Sequence, residues 1–243
     1  PDGPLSSVPP GVLHDGSQWL AARYAITVAP SAAVHQRLLA RGDSRRRTRL
    51  VVGVHDDRAP RIAAEAVEIA TSLGDSGHRV QALMGPEATR SAVLAAMADA
   101  ATIHVAAHGR FDRQQPHASG LRLADRWVTV TDLARLMLDT DLVTLSGCET
   151  GLGGAADRGG EAVGPALALL AAGARRVVAS QWSVDDGITH EVMIRLHQAW
   201  SENGTSSDSA FDVASALSLV HHEMVERTPH PAHWGGFVLM GRN

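Results

Sequence analysis

Short β-branched apolar runs alternate along this chain with longer stretches of helical period, the pattern of a mostly parallel sheet covered by helices. "YAITVA" (24–29), "RLVVGV" (49–54), "VQALM" (80–84), "TIHVAA" (102–107), "LVTLS" (142–146), "RRVVASQ" (175–181) and "GFVLM" (236–240) read as strands. Between them, "RIAAEAVEIATSLG" sets Ile62, Ala66, Ile69 and Leu73 on one face and Glu65 and Glu68 on another, which predicts a surface helix with its glutamates toward water. "ATRSAVLAAMADA" follows with Thr89 as its N-cap. "EAVGPALALLAAGA" is apolar nearly all round and ends at Gly173, so it is expected deep in the protein with that glycine at C′. "LRLADRWVTV" breaks the alternation and predicts a β-hairpin. Two more helices are expected around 186–201 and 208–226. Residues 1–23, rich in Pro, Gly and Ser, read as an irregular lead-in, and 24–243 as one domain without internal repeat.

Composition narrows the classes. With 243 residues, 44% of them hydrophobic, the chain can bury a full core. Its 22 basic and 26 acidic side chains give a formal charge of −4 with neither sign gathered into a long block, so no direct contact with nucleic acid or anionic membrane is expected. The cluster Arg45, Arg46, Arg47 and Arg49 reads as a solvated loop in preference to a phosphate site. A lone cysteine excludes an internal disulfide and suits a reducing cytoplasm. No signal peptide or membrane-length apolar run is found. The first residue, Pro1, is taken to mean that the chain belongs to something longer.

In doubly wound α/β proteins, chemistry gathers at the carboxyl ends of strands. Two predicted strands end there on reactive side chains: "TIHVAAHG" delivers His108 and Gly109, and "LVTLSGCETG" delivers Gly147 and Cys148. The forty intervening residues suffice for a crossover that returns a parallel neighbour. An imidazole beside the thiol can raise the thiolate fraction or protonate a departing amine. The N–H groups of Gly109 and Cys148 are candidates for an oxyanion hole. Against this stands the ordinary fate of a lone cysteine at the end of an apolar strand, burial as a small hydrophobe. These residues by themselves leave both readings open.

Five ordered blocks tip the balance. "IHVAAHGRFD", "SGLRLADRWVTVTDLARLML", "TDLVTLSGCETGLG", "GARRVVASQWSVDD" and "HPAHWGGFVLMG" together resemble the CHAT domain, a family of caspase-like cysteine peptidases related to separase, gingipain and caspase, over roughly residues 24–242. The resemblance implies a caspase-like three-layer α/β/α sandwich and a catalytic His108/Cys148 dyad working through a thioester acyl-enzyme. It also implies a protein substrate and a regulatory domain or partner; no cofactor or metal is expected. Where that family pattern has Ala-Cys this chain has Gly147-Cys148, more like separase.

The resemblance to separase and its relatives, which use an acidic residue in this region, makes Asp186 the first choice for a carboxylate that would take a basic P1 side chain, with Asp185 beside it. Glu149 and Asp157 are weaker candidates, and Trp182 is a candidate pocket wall. The competing reading is that Asp185 and Asp186 cap the helix that begins near Gly187. "GLGGAADRGGE" (151–161) lacks the Lys and spacing of a P-loop and reads as an active-site loop. His221, His222, His230 and His233 lack partners at metal-ligand spacing. "NGT" at 203–205 reads as a helix-ending loop, not a glycosylation site. Two other functions stay in view: a catalytically silent caspase-like interaction module, and a nucleotide-binding domain, against which the missing G-x-G-x-x-G counts.

Overall fold

The apolar runs assemble into one seven-stranded sheet because none of them can pair its backbone or bury its side chains alone. A computed structural model of the chain describes residues 8–56, 59–112, 114–147, 164–203 and 212–242. In chain order the elements are α1 (Leu20–Arg23), β1 (Thr27–Val28), α2 (Ala32–Leu39), β2 (Thr48–Gly53), α3 (Arg61–Asp75), β3 (Arg79–Met84), α4 (Arg90–Met97), β4 (Ala100–Ala106), β5 (Gly109–Arg110), β6 (Gly120–Arg122), β7 (Trp127–Thr129), α5 (Val130–Ala134), β8 (Leu142–Ser146), α6 (Pro165–Ala172), β9 (Arg176–Ser180), α7 (Asp186–Asn203), α8 (Val213–Arg227) and β10 (Phe237–Gly241). The main sheet runs β1-β10-β9-β8-β4-β2-β3, and β5-β6-β7 form a separate antiparallel ribbon. From β9 to β3 every pairing is parallel, while β10 lies antiparallel to β9.

The period-2 alternation of the strands sorts their side chains between two helix layers. Val52, Ile103, Val105, Leu145 and Val177 face Val93, Leu133 and Leu169 of α4, α5 and α6. Val51, Ala106, Leu142, Val178 and Phe237 face Ile69, Met193 and Leu217 of α3, α7 and α8. The result is the expected α/β/α sandwich.

Local expectations mostly hold, with instructive departures. Thr89 caps α4 by accepting from the Ala92 N–H. The hairpin at 120–129 forms as β6 and β7. α6 is buried along most of its length and stops at Gly173, whose φ of 125° and whose approach to the Leu138 carbonyl leave no room for a Cβ. The run 24–29 yields only the two-residue β1, and α2 was not foreseen; it starts at Ser31, whose hydroxyl accepts the Val34 N–H. In the lead-in, Trp19 stacks edge-on against Trp234 and α1 buries Ala21 against α8. Among the described residues no helix is long and apolar enough to cross a membrane.

One expectation fails outright. Glu65 does not face water: it is 1% exposed, on the sheet side of α3, because α7 and α3 close over it.

Candidate active site

Parallel pairing of β4 with β8 brings the two strand ends together. Ala106 is the register partner of Ser146, and the Ala107 N–H reaches the Ser146 carbonyl at 3.3 Å. His108 and Cys148 each stand two residues beyond that partnered pair in sequence. Cys148, with Glu149, Asp157 and the 151–161 loop, lies outside the described residues, as does most of the 203–205 triplet.

His108 has a partner that the sequence reading missed. β2 runs on the other side of β4, with Gly53 opposite Ala106, and three residues on it delivers Asp56. Asp56 Oδ2 lies 3.0 Å from His108 Nε2, and the side chains are 31% and 35% exposed, so this pair stands in reach of solvent. A carboxylate at ion-pair distance from one ring nitrogen favours the ring with a proton there and leaves Nδ1 for other chemistry.

The ribbon β5-β6-β7 walls the same place. The Arg122 N–H donates to the His108 carbonyl at 2.8 Å, so Gly109 and Leu121 are a non-hydrogen-bonded pair of the ladder and the Gly109 N–H points away from β6. The Ala124 N–H donates to the Ala88 carbonyl at 3.0 Å and pins the hairpin to the start of α4. Between the ribbon and the ends of β2 and β3 opens a cleft of about 570 Å³, lined by His108, Asp56, Arg122 and neighbours.

The other candidates sit on the β9 side of that edge. Asp185 Oδ1 accepts the N–H groups of Gly187 (2.8 Å) and Ile188 (3.2 Å), the cap expected of it. Asp186 does not cap its own helix: its Oδ2 accepts the Arg61 N–H at 3.1 Å and satisfies the first turn of α3. Trp182 donates its indole N–H to the Ala232 carbonyl at 2.9 Å, and Gly236 lets the ring lie flat where a Cβ would strike it at 2.9 Å. Trp234 is fully buried core, and Trp127 stacks under the Arg110 guanidinium at 4.4 Å.

Beneath the site runs a buried polar chain. His104 Nε2 lies 3.0 Å from Glu65 Oε1 without hydrogen-bond alignment; its Nδ1 bonds Thr144 Oγ1 at 2.8 Å, and Thr144 meets His197 Nε2 at 3.1 Å. Burial pushes the Glu65 carboxyl up to about 8, offset in part by the Ser146 hydroxyl beside it, and pushes His104 down to about 3. Burial likewise holds His197 well below its usual range.

Of the residues missed, Asp56 left a trace in the sequence: "VHDD" follows a strand as directly as the His and Cys blocks do. Nothing in the chain order, however, says that β2 rather than β3 flanks β4. Arg122 sat in the recognised hairpin with no mark of a role.

Comparison with known proteins adds family and fold. The CHAT domain family model matches residues 1–242. A chain of the Saccharomyces cerevisiae separase–securin complex superposes with a TM-score of 0.69 at 14% identity, over 91% of this chain and 14% of that one. The Arg-specific cysteine proteinase gingipain R gives 0.56 at 14% identity, over 80% of this chain and 45% of that one. The complex of pro- and mature domains of Porphyromonas gingivalis RgpB gives 0.56 at 12% identity, over 81% and 47%. This chain thus spans a seventh of the separase chain and about half of the gingipain chains. Comparison with curated proteins returned no match.

Proposed function

The chain belongs to the CHAT domain family, and from that premise we propose that it is a cysteine endopeptidase acting on protein partners through His108 and Cys148. The observation that carries this reading is the β4/β8 register, with 108 and 148 at matching positions past Ala106 and Ser146 and the His108 ring held by Asp56 at the mouth of a cleft.

In this mechanism the Cys148 thiolate attacks the scissile carbonyl carbon, and the oxyanion is received by the N–H groups of Gly109 and Cys148. Nε2 of His108 is engaged by Asp56, so Nδ1 gives its proton to the amine as the C–N bond breaks, leaving a thioester. Water, deprotonated at the same nitrogen, then attacks the thioester and frees the acid and the thiol. A basic P1 side chain would meet Asp186 and Asp185, with Trp182 as a wall; Glu149 remains a further candidate for the acyl side. The Arg specificity in the gingipain description supports this choice. The separase–securin complex supports control by a partner protein or by a further domain.

Labelling by iodoacetamide or a peptidyl electrophile tests the dyad. Labelling should be lost in Cys148→Ala and slowed at least about tenfold in His108→Ala. Equal labelling of wild type and His108→Ala would favour an interaction module that keeps the fold and not the chemistry.

A further inference from the structure

We propose that Arg122 is a specificity-determining residue that binds an acidic side chain on the part of the peptide that departs with the amine; this rests on the cysteine-peptidase reading. Along the carboxyl edge of the sheet the strands run β9, β8, β4, β2, β3. The nucleophile follows β8 and the proton donor follows β4. A general acid faces the leaving group, so the departing segment extends from His108 away from β8, across the ends of β2 and β3. That is where the cleft lies, between His55 and Asp56 after β2, Gly85 and Pro86 after β3, and Arg122 of the ribbon. Its volume, about 570 Å³, accommodates several side chains.

Charge decides what kind. Asp56 is committed to His108. Arg122 is half-buried and lines the cleft, and among the described residues no carboxylate lies within ion-pair distance of it. Its backbone N–H is tied to the His108 carbonyl, which roots the side chain beside the reacting centre. A cleft-lining guanidinium without a counter-charge among the described residues is matched by a carboxylate, which it can hold through two parallel N–H donors.

The test uses the full chain and matched internally quenched octapeptides carrying Glu or Gln at each of the first three positions after the scissile bond. At one position the Glu peptide should exceed its Gln twin in kcat/KM by about tenfold. Arg122→Gln should bring that ratio to about one, Arg122→Lys should leave an intermediate value, and Arg122→Glu should push it below one. A wild-type ratio near one, or a ratio unchanged in Arg122→Gln, overturns the assignment. If no peptide is cleaved, the peptidase reading falls, and fluorescein-labelled versions of the same peptides are scored by anisotropy. Preferential binding of the Glu peptide that disappears in Arg122→Gln then sustains the subsite, and equal binding or none overturns it.

Discussion

A single carboxylate separates a loose imidazole from a directed one. Asp56 Oδ2 lies 3.0 Å from Nε2 of His108, and a carboxylate at that distance favours an imidazolium formed during proton transfer. Asp56→Asn keeps the size and loses the charge. On the peptidase reading it should lower kcat by about ten- to a hundredfold with KM little changed, and Asp56→Glu should recover part of the loss. Equal falls in kcat from Asn and Glu, or a change confined to KM, would mean that Asp56 serves only the shape of the cleft. The motifs that carry His108, Gly109 and Cys148 were legible in the sequence because strand-end motifs are local. Asp56 and Arg122 come up to His108 from segments far apart in the chain, and no local pattern encodes that.

At the scale of elements, two helix N-termini share one pair of acids. Asp185 serves α7 and Asp186 reaches across to α3, so the helices that cover one face of the sheet are joined where their exposed N–H groups need acceptors. Asp186→Ala removes that acceptor and should cost about 1 kcal/mol, a fall in Tm of about 2–4 °C. Asp186→Asn retains an oxygen for the Arg61 N–H and should melt close to wild type. If Asp186 also binds a basic P1 side chain, the Asn variant should lose turnover of Arg-containing peptides while holding its Tm; unchanged turnover would leave Asp186 as a cap alone. Capping was legible in the sequence as a choice between two roles, yet the helix that Asp186 caps was not, because α3 lies 125 residues away.

The whole molecule carries a pH signature from its buried polar chain. Glu65 has its pKa raised from 4.5 to about 8, so its contribution to stability is complete below pH 4.5 and is lost as pH rises toward 8. His104, lowered from 6.5 to about 3, contributes fully above pH 6.5 and loses that contribution as pH falls toward 3. Between about pH 4.5 and 6.5 the two slopes cancel, since folded and unfolded forms each carry one proton on the pair. His221, lowered to about 4, and His197 add a rise with pH up to 6.5. Stability should therefore peak near pH 6.5 and fall on both sides. In Glu65→Gln, Tm measured from pH 6.5 to 8 should become flat while the acid-side loss persists; an unchanged alkaline fall would remove Glu65 as its source.

Sequence alone determined the strands, the major helices, the hairpin, the sandwich class and the strand-end motifs, because hydrophobic period, caps and glycine punctuation are properties of neighbouring residues. Only the tertiary structure decided the strand order, which sets β2 between β4 and β3 and so gives His108 its carboxylate and its cleft. It also decided that Glu65, polar by pattern, goes inside: a helix face is buried or exposed according to what packs on it, and α7 packs there.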